Sequence, residues 1–446
     1  MSAKNKLIIS GVGIGVLVIA FIVALVLSIQ KPEKPQETAP TAPSISQNEL
    51  QNYLKVSTKS WTNDALFGSI DLTQIERLYF VYQAPSDLKA EMAWFFDGLN
   101  CYYVAGNVYV EVGYGIKIMG SMNGAFANLV NLKEIQGLSS LKTENVADMS
   151  YLFANCSSLQ NIQIQELDTS NLVLAKGMFE GCASLISLDM GGMDFTNVLD
   201  LDYMFANCKA LDDLRLPKTM DFTTAKYMFK NIGISATVCT QVVGELSTAN
   251  CKYADYMFEG ARMFDYSLAE RFDTTNLVSA EGMFANAGEL RTIDLSQWKT
   301  NNLVNVKNMF FDDTMLKSCN VGGWNADNIQ YCDSMFSLCS SLRELDISWS
   351  NVDIIHSATN MFSTCLSLEN INFTAFDNTK FGNATRMFYD CNNLQNIICV
   401  GFEADVSDEM FRYCSELPNY TDGKWYVDMA TIDGYFVKEI NANGET

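Results

Sequence analysis

Thirteen cysteines and a lone histidine, His356, are the side chains here best suited to nucleophilic or metal chemistry. Either chemistry requires them to converge, and their spacing disperses them. Cys156, Cys182, Cys208, Cys339, Cys365, Cys391 and Cys414 each follow a phenylalanine by three residues, and no CxxC pair occurs. Cysteines at one register of a repeat have parallel Cα–Cβ vectors, whereas a disulfide needs converging ones with Cβ atoms about 3.8 Å apart. They read as reduced, buried thiols acting as small hydrophobes. His356, between Ile355 and Ser357, has no serine or cysteine motif to pair with, and reads as an ordinary surface or cap histidine. Asp168-Thr169 and Asp273-Thr274 lack the dense Asp/Asn/Gly loop of a calcium cage and read as side-chain-capped turns. No catalytic, cofactor-binding or metal-binding residue is predicted, and the chain does not read as an enzyme.

The cysteine register belongs to a repeat that runs through most of the chain. Phenylalanine anchors stand at 126, 153, 179, 205, 229, 258, 284, 310, 336, 362, 388 and 411. Their spacings are 27, 26, 26, 24, 29, 26, 26, 26, 26, 26 and 23 residues, the signature of a solenoid. Around each anchor, apolar residues recur at −7, −4, −1, 0 and +3, as in Leu303, Val306, Met309 and Phe310. That spacing predicts one face of a short helix, N-capped by Thr169–Asn171 or Thr274–Asn276. Leu follows at +6, and then apolar +9 and +11 alternate with polar +8, +10 and +12, which predicts a strand with one buried face. The predicted fold is an α/β repeat solenoid of about 26-residue strand-and-short-helix coils over residues 122–417, with one long parallel sheet.

The motif LxxLxLSxxxTxNLxxxxxMFxxC resembles the BspA-type leucine-rich repeat of mycoplasma and other bacterial surface proteins. GELRTIDLSQWKTNNLVNVKNMF (Gly288–Phe310) and CASLISLDMGGMDFTNVLDLDYMFANC (Cys182–Cys208) carry it, and NYTDGKWYVDMATIDGYF is similar to that family's closing segment. The resemblance implies a leucine-rich-repeat-like fold and a surface, adhesive or protein-binding role. Between Phe229 and Phe284 the match fails: the segment including Gly260–Phe272 lacks the Leu-x-x-Leu-x-Leu pattern. A degenerate coil and a ligand-shaped irregularity both account for that.

The other segments must anchor and close this array. Leu7 to Ile29 is apolar and uncharged, long enough for a membrane-spanning helix and longer than the apolar core of a cleaved signal peptide, the competing reading. GVGIG (Gly11–Gly15) lies within it and so is no phosphate loop. Residues 31–47 hold four of the seven prolines and read as an extended spacer. Residues 48–121 lack the repeat. There Ile75–Tyr82 and Cys101–Val112 predict strands, Gly106-Asn107 a hairpin turn and Asp87–Phe96 a short helix, making a small α+β cap. Residues 418–446 read as the C-terminal cap.

A net charge of −22 argues against nucleic acid and anionic lipid surfaces as partners. The outward strand positions +8 and +10 are polar and modestly acidic, and Asp294, Glu344 and Asp346 are their candidate partner-binding residues. A plain solvated sheet has the same pattern. The sequence thus points to a single-pass membrane protein with its repeat domain on the cell surface, binding proteins or a host or matrix ligand without any cofactor. A structural envelope component that binds only its own cell's proteins is the rival reading.

Overall fold

The computed structural model describes residues 54–437 except 89–91, 219, 237, 239, 245, 263 and 432–433. The apolar run Leu7–Ile29 and the proline-rich spacer lie outside the described residues, and no described helix is long and apolar enough to cross a membrane.

The module that precedes the repeats begins with β1 (Lys55–Ser57) and α1 (Asn63–Phe67), the latter capped by Thr62 Oγ1, which accepts from Ala65 N at 3.2 Å. Strands β2 (Arg77–Val81), β3 (Met92–Phe96), β4 (Leu99–Val104) and β5 (Asn107–Glu111) join β7 (Glu134–Gln136) in one sheet of order β3-β4-β5-β2-β7. Strand β6 (Ile116–Ile118) lies between β1 and β8 (Leu141–Lys142) in a second sheet. Because β7 stands eight to ten residues after Phe126, the first coil's strand extends the module's own sheet. Trp61 is buried between Phe80 at 6.1 Å and Phe96 at 5.7 Å, and Phe80 packs on Phe126 at 5.9 Å, so apolar rings seal the first coil.

The helix expected within 87–96 is not formed: Met92–Phe96 is strand β3. Trp94 and Phe96 alternate inward, Trp94 Nε1 donating to Leu66 O at 2.8 Å, and burial of those two rings outweighs helix propensity. The hairpin turn is Ala105-Gly106, with φ of 46° and 86°, one residue before the expected pair. Asp97-Gly98, with the same signature, makes the β3–β4 hairpin.

The larger correction concerns every coil. The residues around each Met-Phe form consecutive tight turns where a helix was expected, and a β-solenoid replaces the α/β one. Leu152 N, Ala154 N and Cys156 N donate within the coil, to Met149 O, Tyr151 O and Phe153 O. The alternate amides of Tyr151, Phe153 and Asn155 donate to the next coil, to Lys176 O, Met178 O and Glu180 O at 2.6–2.9 Å. A helix would consume all of these donors internally and leave nothing to tie coil to coil. Left-handed residues at −2 and +2, such as Tyr151 (φ 55°) and Asn155 (φ 61°), make the reversals. The apolar positions still face inward. Ile329, Met335, Phe336 and Cys339 are all buried.

The rings of the anchors stack without a break. Phe153 to Phe179 is 5.6 Å, Phe310 to Phe336 is 5.3 Å, and Phe388 to Phe411 is 5.7 Å, with interplanar angles of 13°, 7° and 6°. Parallel strands flank this spine, in three-stranded pieces where one long sheet was expected. The first piece is β9 (Ser187–Asp189), β10 (Asp213–Arg215) and β11 (Gln241–Val243). Then α2 (Ser267–Glu270) interrupts the face before β12 (Thr292–Asp294), β13 (Ser318–Asn320) and β14 (Glu344–Asp346). In the interrupted coil Phe264 and Phe272 fill the core against Phe258 at 5.1 and 6.2 Å. Aromatic packing thus accounts for the loss of the leucine pattern there.

A second parallel ladder runs five residues before each anchor, from Asp148↔Leu174 to Tyr331↔Ser357. It widens into β15 (Ile354–Ser357), β17 (Lys380–Asn383) and β19 (Glu403–Val406). His356, expected on a helix, is exposed on β15 with its ring stacked on Tyr331 at 5.9 Å. At the far end β20 (Phe436–Val437) pairs with β18 (Asn396–Ile398), which pairs with β16 (Asn370–Asn372), and Tyr435 packs edge-on against Phe411 at 5.3 Å. The tail therefore covers the last ring of the spine.

Candidate partner-binding face

The strand face of β12–β14 brings the three predicted carboxylates together. Thr292, Ser318 and Glu344 are in register across the strands, and so are Asp294, Asn320 and Asp346. All three carboxylates are exposed, but two have a local task. Asp294 Oδ1 accepts from Ser296 N at 3.0 Å and Asp346 Oδ1 from Ser348 N at 2.9 Å, closing the turn after each strand. Hydrogen bonds from Ser296, side chain first and then backbone, hold the Asp294 carboxyl below its ordinary range. Asn320 and Asn372 make the same bond in their coils, to Gly322 N and Thr374 N. The Glu344 side chain makes no hydrogen bond or ion pair among the described residues, while its amide donates to Lys317 O at 3.1 Å.

Reading only the +8 and +10 columns missed a basic one at +7. Arg291, Lys317 and Arg343 are exposed on successive coils, linked directly by Lys317 N to Arg291 O at 2.8 Å and Arg343 N to Lys317 O at 3.0 Å. Arg291 pairs with Glu289 at 3.4 Å, while Lys317 and Arg343 meet no carboxylate among the described residues. The signal was legible as Leu-Arg, Leu-Lys and Leu-Arg at one register.

The cysteine column is reduced and has a hydrogen-bonding role. All twelve described cysteines are unpaired and buried; Cys239 is not described. Each column thiol donates to the carbonyl of the preceding coil's anchor: Cys182 to Phe153 O at 3.2 Å, Cys365 to Phe336 O at 3.1 Å and Cys391 to Phe362 O at 3.0 Å. Burial pushes the Cys182 and Cys391 thiols up to about 12, which removes them from thiolate chemistry at neutral pH. Asp168 and Asp273 cap turns, accepting from Ser170 N at 2.9 Å and Thr275 N at 3.1 Å.

Among known families, the chain matches the one described as "Mycoplasma protein of unknown function, DUF285", over residues 120–240, 223–349 and 290–400. Those overlapping matches span more than half of the 446 residues. The chain belongs to this family. The BspA-type resemblance of its repeats is thereby borne out. No curated protein sequence matches this DUF285 chain. Among solved structures it is similar to a leucine-rich repeat protein from Bacteroides ovatus, with 18% identity over 71% of this chain and 84% of that one, at a TM-score of 0.35. It is also similar to a leucine rich cell surface protein from Faecalibacterium prausnitzii, with 14% identity over 78% and 99%, at a TM-score of 0.32.

Two further features of the DUF285 repeats bear on a site. A shallow open trough of about 660 Å³ crosses four coils beside the irregular region, and Leu199, Asp221, Asn250 and Lys252 are among its lining. Its polar groups serve each other, Asp221 accepting from Asn250 Nδ2 at 2.8 Å. At +3 of the Phe310 coil, Asp313 takes the place of the column cysteine and is fully buried. Its Oδ1 accepts from Ala287 N at 2.6 Å, and its Oδ2 has no partner among the described residues. Burial raises its carboxyl well above the ordinary value.

Proposed function

We propose that this chain is a membrane-anchored bacterial surface protein whose solenoid binds other proteins through the strand face of β12–β14, with Asp294, Glu344 and Asp346 taking part. The observation that carries the reading is the in-register charge on that face. Exposed charges stand there on successive rigid coils, and the side chains of Glu344, Lys317 and Arg343 have no ion-pair partner among the described residues. Rigid solenoid strands that display unneutralised side chains make an extended docking surface, and fixed charges there govern the rate and register of association. The described residues contain no group of three or more His, Cys, Asp or Glu side chains placed to hold a metal, and binding needs none. Anchoring rests on the apolar run Leu7–Ile29, and surface display on the family resemblance.

Protease treatment of intact cells is the test of display. Cleavage of the repeat domain on intact cells supports the surface reading, whereas full protection until lysis favours the envelope-component rival and removes an adhesive role. Capture of cell-surface or matrix proteins by the parent chain, lost in the variant Asp294→Asn/Glu344→Gln/Asp346→Asn, tests the face itself.

A further inference from the structure

We propose that the strand face of β12–β14 docks onto the same face of a second copy of this chain, related by a twofold axis parallel to the stack of coils. The inference rests on the reading of that face as protein-binding and names its partner. Two rows of opposite charge run side by side along the stack. Arg291, Lys317 and Arg343 form the basic row, and Asp294 and Asp346, with Glu344 beside them, form the acidic one. The basic row stands at the exposed position that enters each strand and the acidic row at the strand's far end, three residues or about 10 Å along the chain, and each row steps from coil to coil by about 4.8 Å.

A twofold axis lying between the rows and parallel to them exchanges the rows and leaves heights unchanged. Arg291 then meets the second copy's Asp294, and Arg343 meets the second copy's Asp346. Lys317 meets the second copy's Asn320. An axis along the strands would set basic row on basic row, so the charges select one orientation.

Intrachain contacts account for Arg291, which pairs with Glu289, and leave the other two members of the basic row unexplained. Like charges directly opposite on neighbouring strands are destabilising. Yet Lys317 and Arg343 have no carboxylate within ion-pair distance among the described residues, in a chain with 52 acidic and 30 basic side chains. The acidic row is held ready, because the bond from Ser348 N fixes Asp346 by one oxygen.

Three coils span too little area for a stable interface, which needs about 800 Å² per partner. A single contact is therefore weak and gains strength where many copies share a surface. Net charge of like sign opposes the approach, but screening over about 8 Å at physiological ionic strength damps that repulsion and spares ion pairs in contact.

The test uses the full chain in detergent at physiological salt, as two differently tagged preparations mixed at high concentration, with a brief nonselective photo-crosslink to trap the weak contact and capture of one by the other as the readout. Two variants reverse one row each: Arg291→Glu/Lys317→Glu/Arg343→Glu, and Asp294→Lys/Glu344→Lys/Asp346→Lys. Parent copies should capture each other, and each variant should lose about tenfold of its self-capture. The two variants mixed should capture each other nearly as well as the parent does. The basic-row variant keeps every turn-capping aspartate, so its loss of self-capture with an unchanged melting curve can be read even where the lysine variant does not fold. Self-capture indifferent to both reversals, as from contacts elsewhere in the chain, overturns the proposal, and so does a mixture no better than either variant alone. Absence of parent self-capture overturns it too. If the neutral carboxylate variant nevertheless loses a foreign partner, the wider protein-binding reading stands.

Discussion

The thiol of Cys339 donates to the carbonyl oxygen of Phe310 at 3.0 Å, one coil earlier in the stack. The same bond recurs from Cys156 to Cys414, wherever cysteine stands three residues after an anchor. It explains a residue choice that burial alone does not. A small apolar side chain fits the position, as Ala261 and Ala287 show, but only one with a donor gives the carbonyl behind it, which already accepts a backbone amide of its own coil, a second hydrogen bond.

Native protein should therefore resist thiol reagents at pH 8, since the column thiols are buried and raised far above that pH. After unfolding without reductant, most of the 13 cysteines should react. Rapid labelling of the folded chain, or a deficit of thiols after unfolding, contradicts the assignment. Cys365→Ala should cost about 1–3 kcal/mol, from one lost hydrogen bond and a small cavity, measured by thermal or denaturant melts.

What the sequence made legible was which side chains face inward and how often. The 26-residue period, the phenylalanine spine, the unpaired cysteine column and the outward positions of Asp294, Glu344 and Asp346 all followed from spacing. What it concealed was how the backbone makes its hydrogen bonds. Positions −7, −4, −1, 0 and +3 lie on one side of a helix and equally on one side of a chain of tight turns. The distinction depends on the amide of Phe336, which reaches Met361 O of the next coil at 2.8 Å. Asn155 and Asn207 at left-handed positions were the residue-level hint, since asparagine tolerates positive φ. At the candidate face the acidic columns were legible and the basic column was overlooked.

The spine sets the stability of the whole stack. Phe336 is fully buried, with Phe310 at 5.3 Å on one side and Phe362 at 5.7 Å on the other. Phe336→Ala should cost about 3–5 kcal/mol. Because each coil is held by its neighbours, amide exchange should accelerate in the coils of Phe310 and Phe362 as well as in its own. A melt that scarcely moves would show that these rings are not the core.

Asp313 offers a stabilising change with a definite pH signature. Its folded-state carboxyl is raised by burial, while an unfolded aspartate titrates near about 3.9. The folded chain therefore holds the proton that the unfolded chain releases. Stability from this group is greatest below about pH 3.9 and falls as pH climbs from there through the raised value. Asp313→Cys restores the column donor and removes the buried carboxyl, so it should gain about 1–3 kcal/mol at pH 7. The difference in Tm between variant and parent should widen as pH rises from 4 to 7. A constant difference would mean the buried carboxyl does not titrate differently on folding.

The strand face yields a prediction that separates local structure from recognition. Asp294→Asn and Asp346→Asn keep the oxygen that closes each turn, because Asn320 and Asn372 make the same bond in their own coils. Glu344→Gln disturbs nothing, since the Glu344 side chain has no partner to lose among the described residues. The triple variant should melt within about 0.5 kcal/mol of the parent, as exposed substitutions away from special features do. Its binding to a basic protein partner should nevertheless weaken, chiefly through a slower association rate. The gap between parent and variant should be widest at low salt and close as the screening length shrinks from about 30 Å at 0.01 M toward 3 Å at 1 M. Association rates that match at every ionic strength would make these carboxylates turn-closing and solvent-facing groups only. The binding reading would then pass to the basic row or to the trough beside the irregular coils.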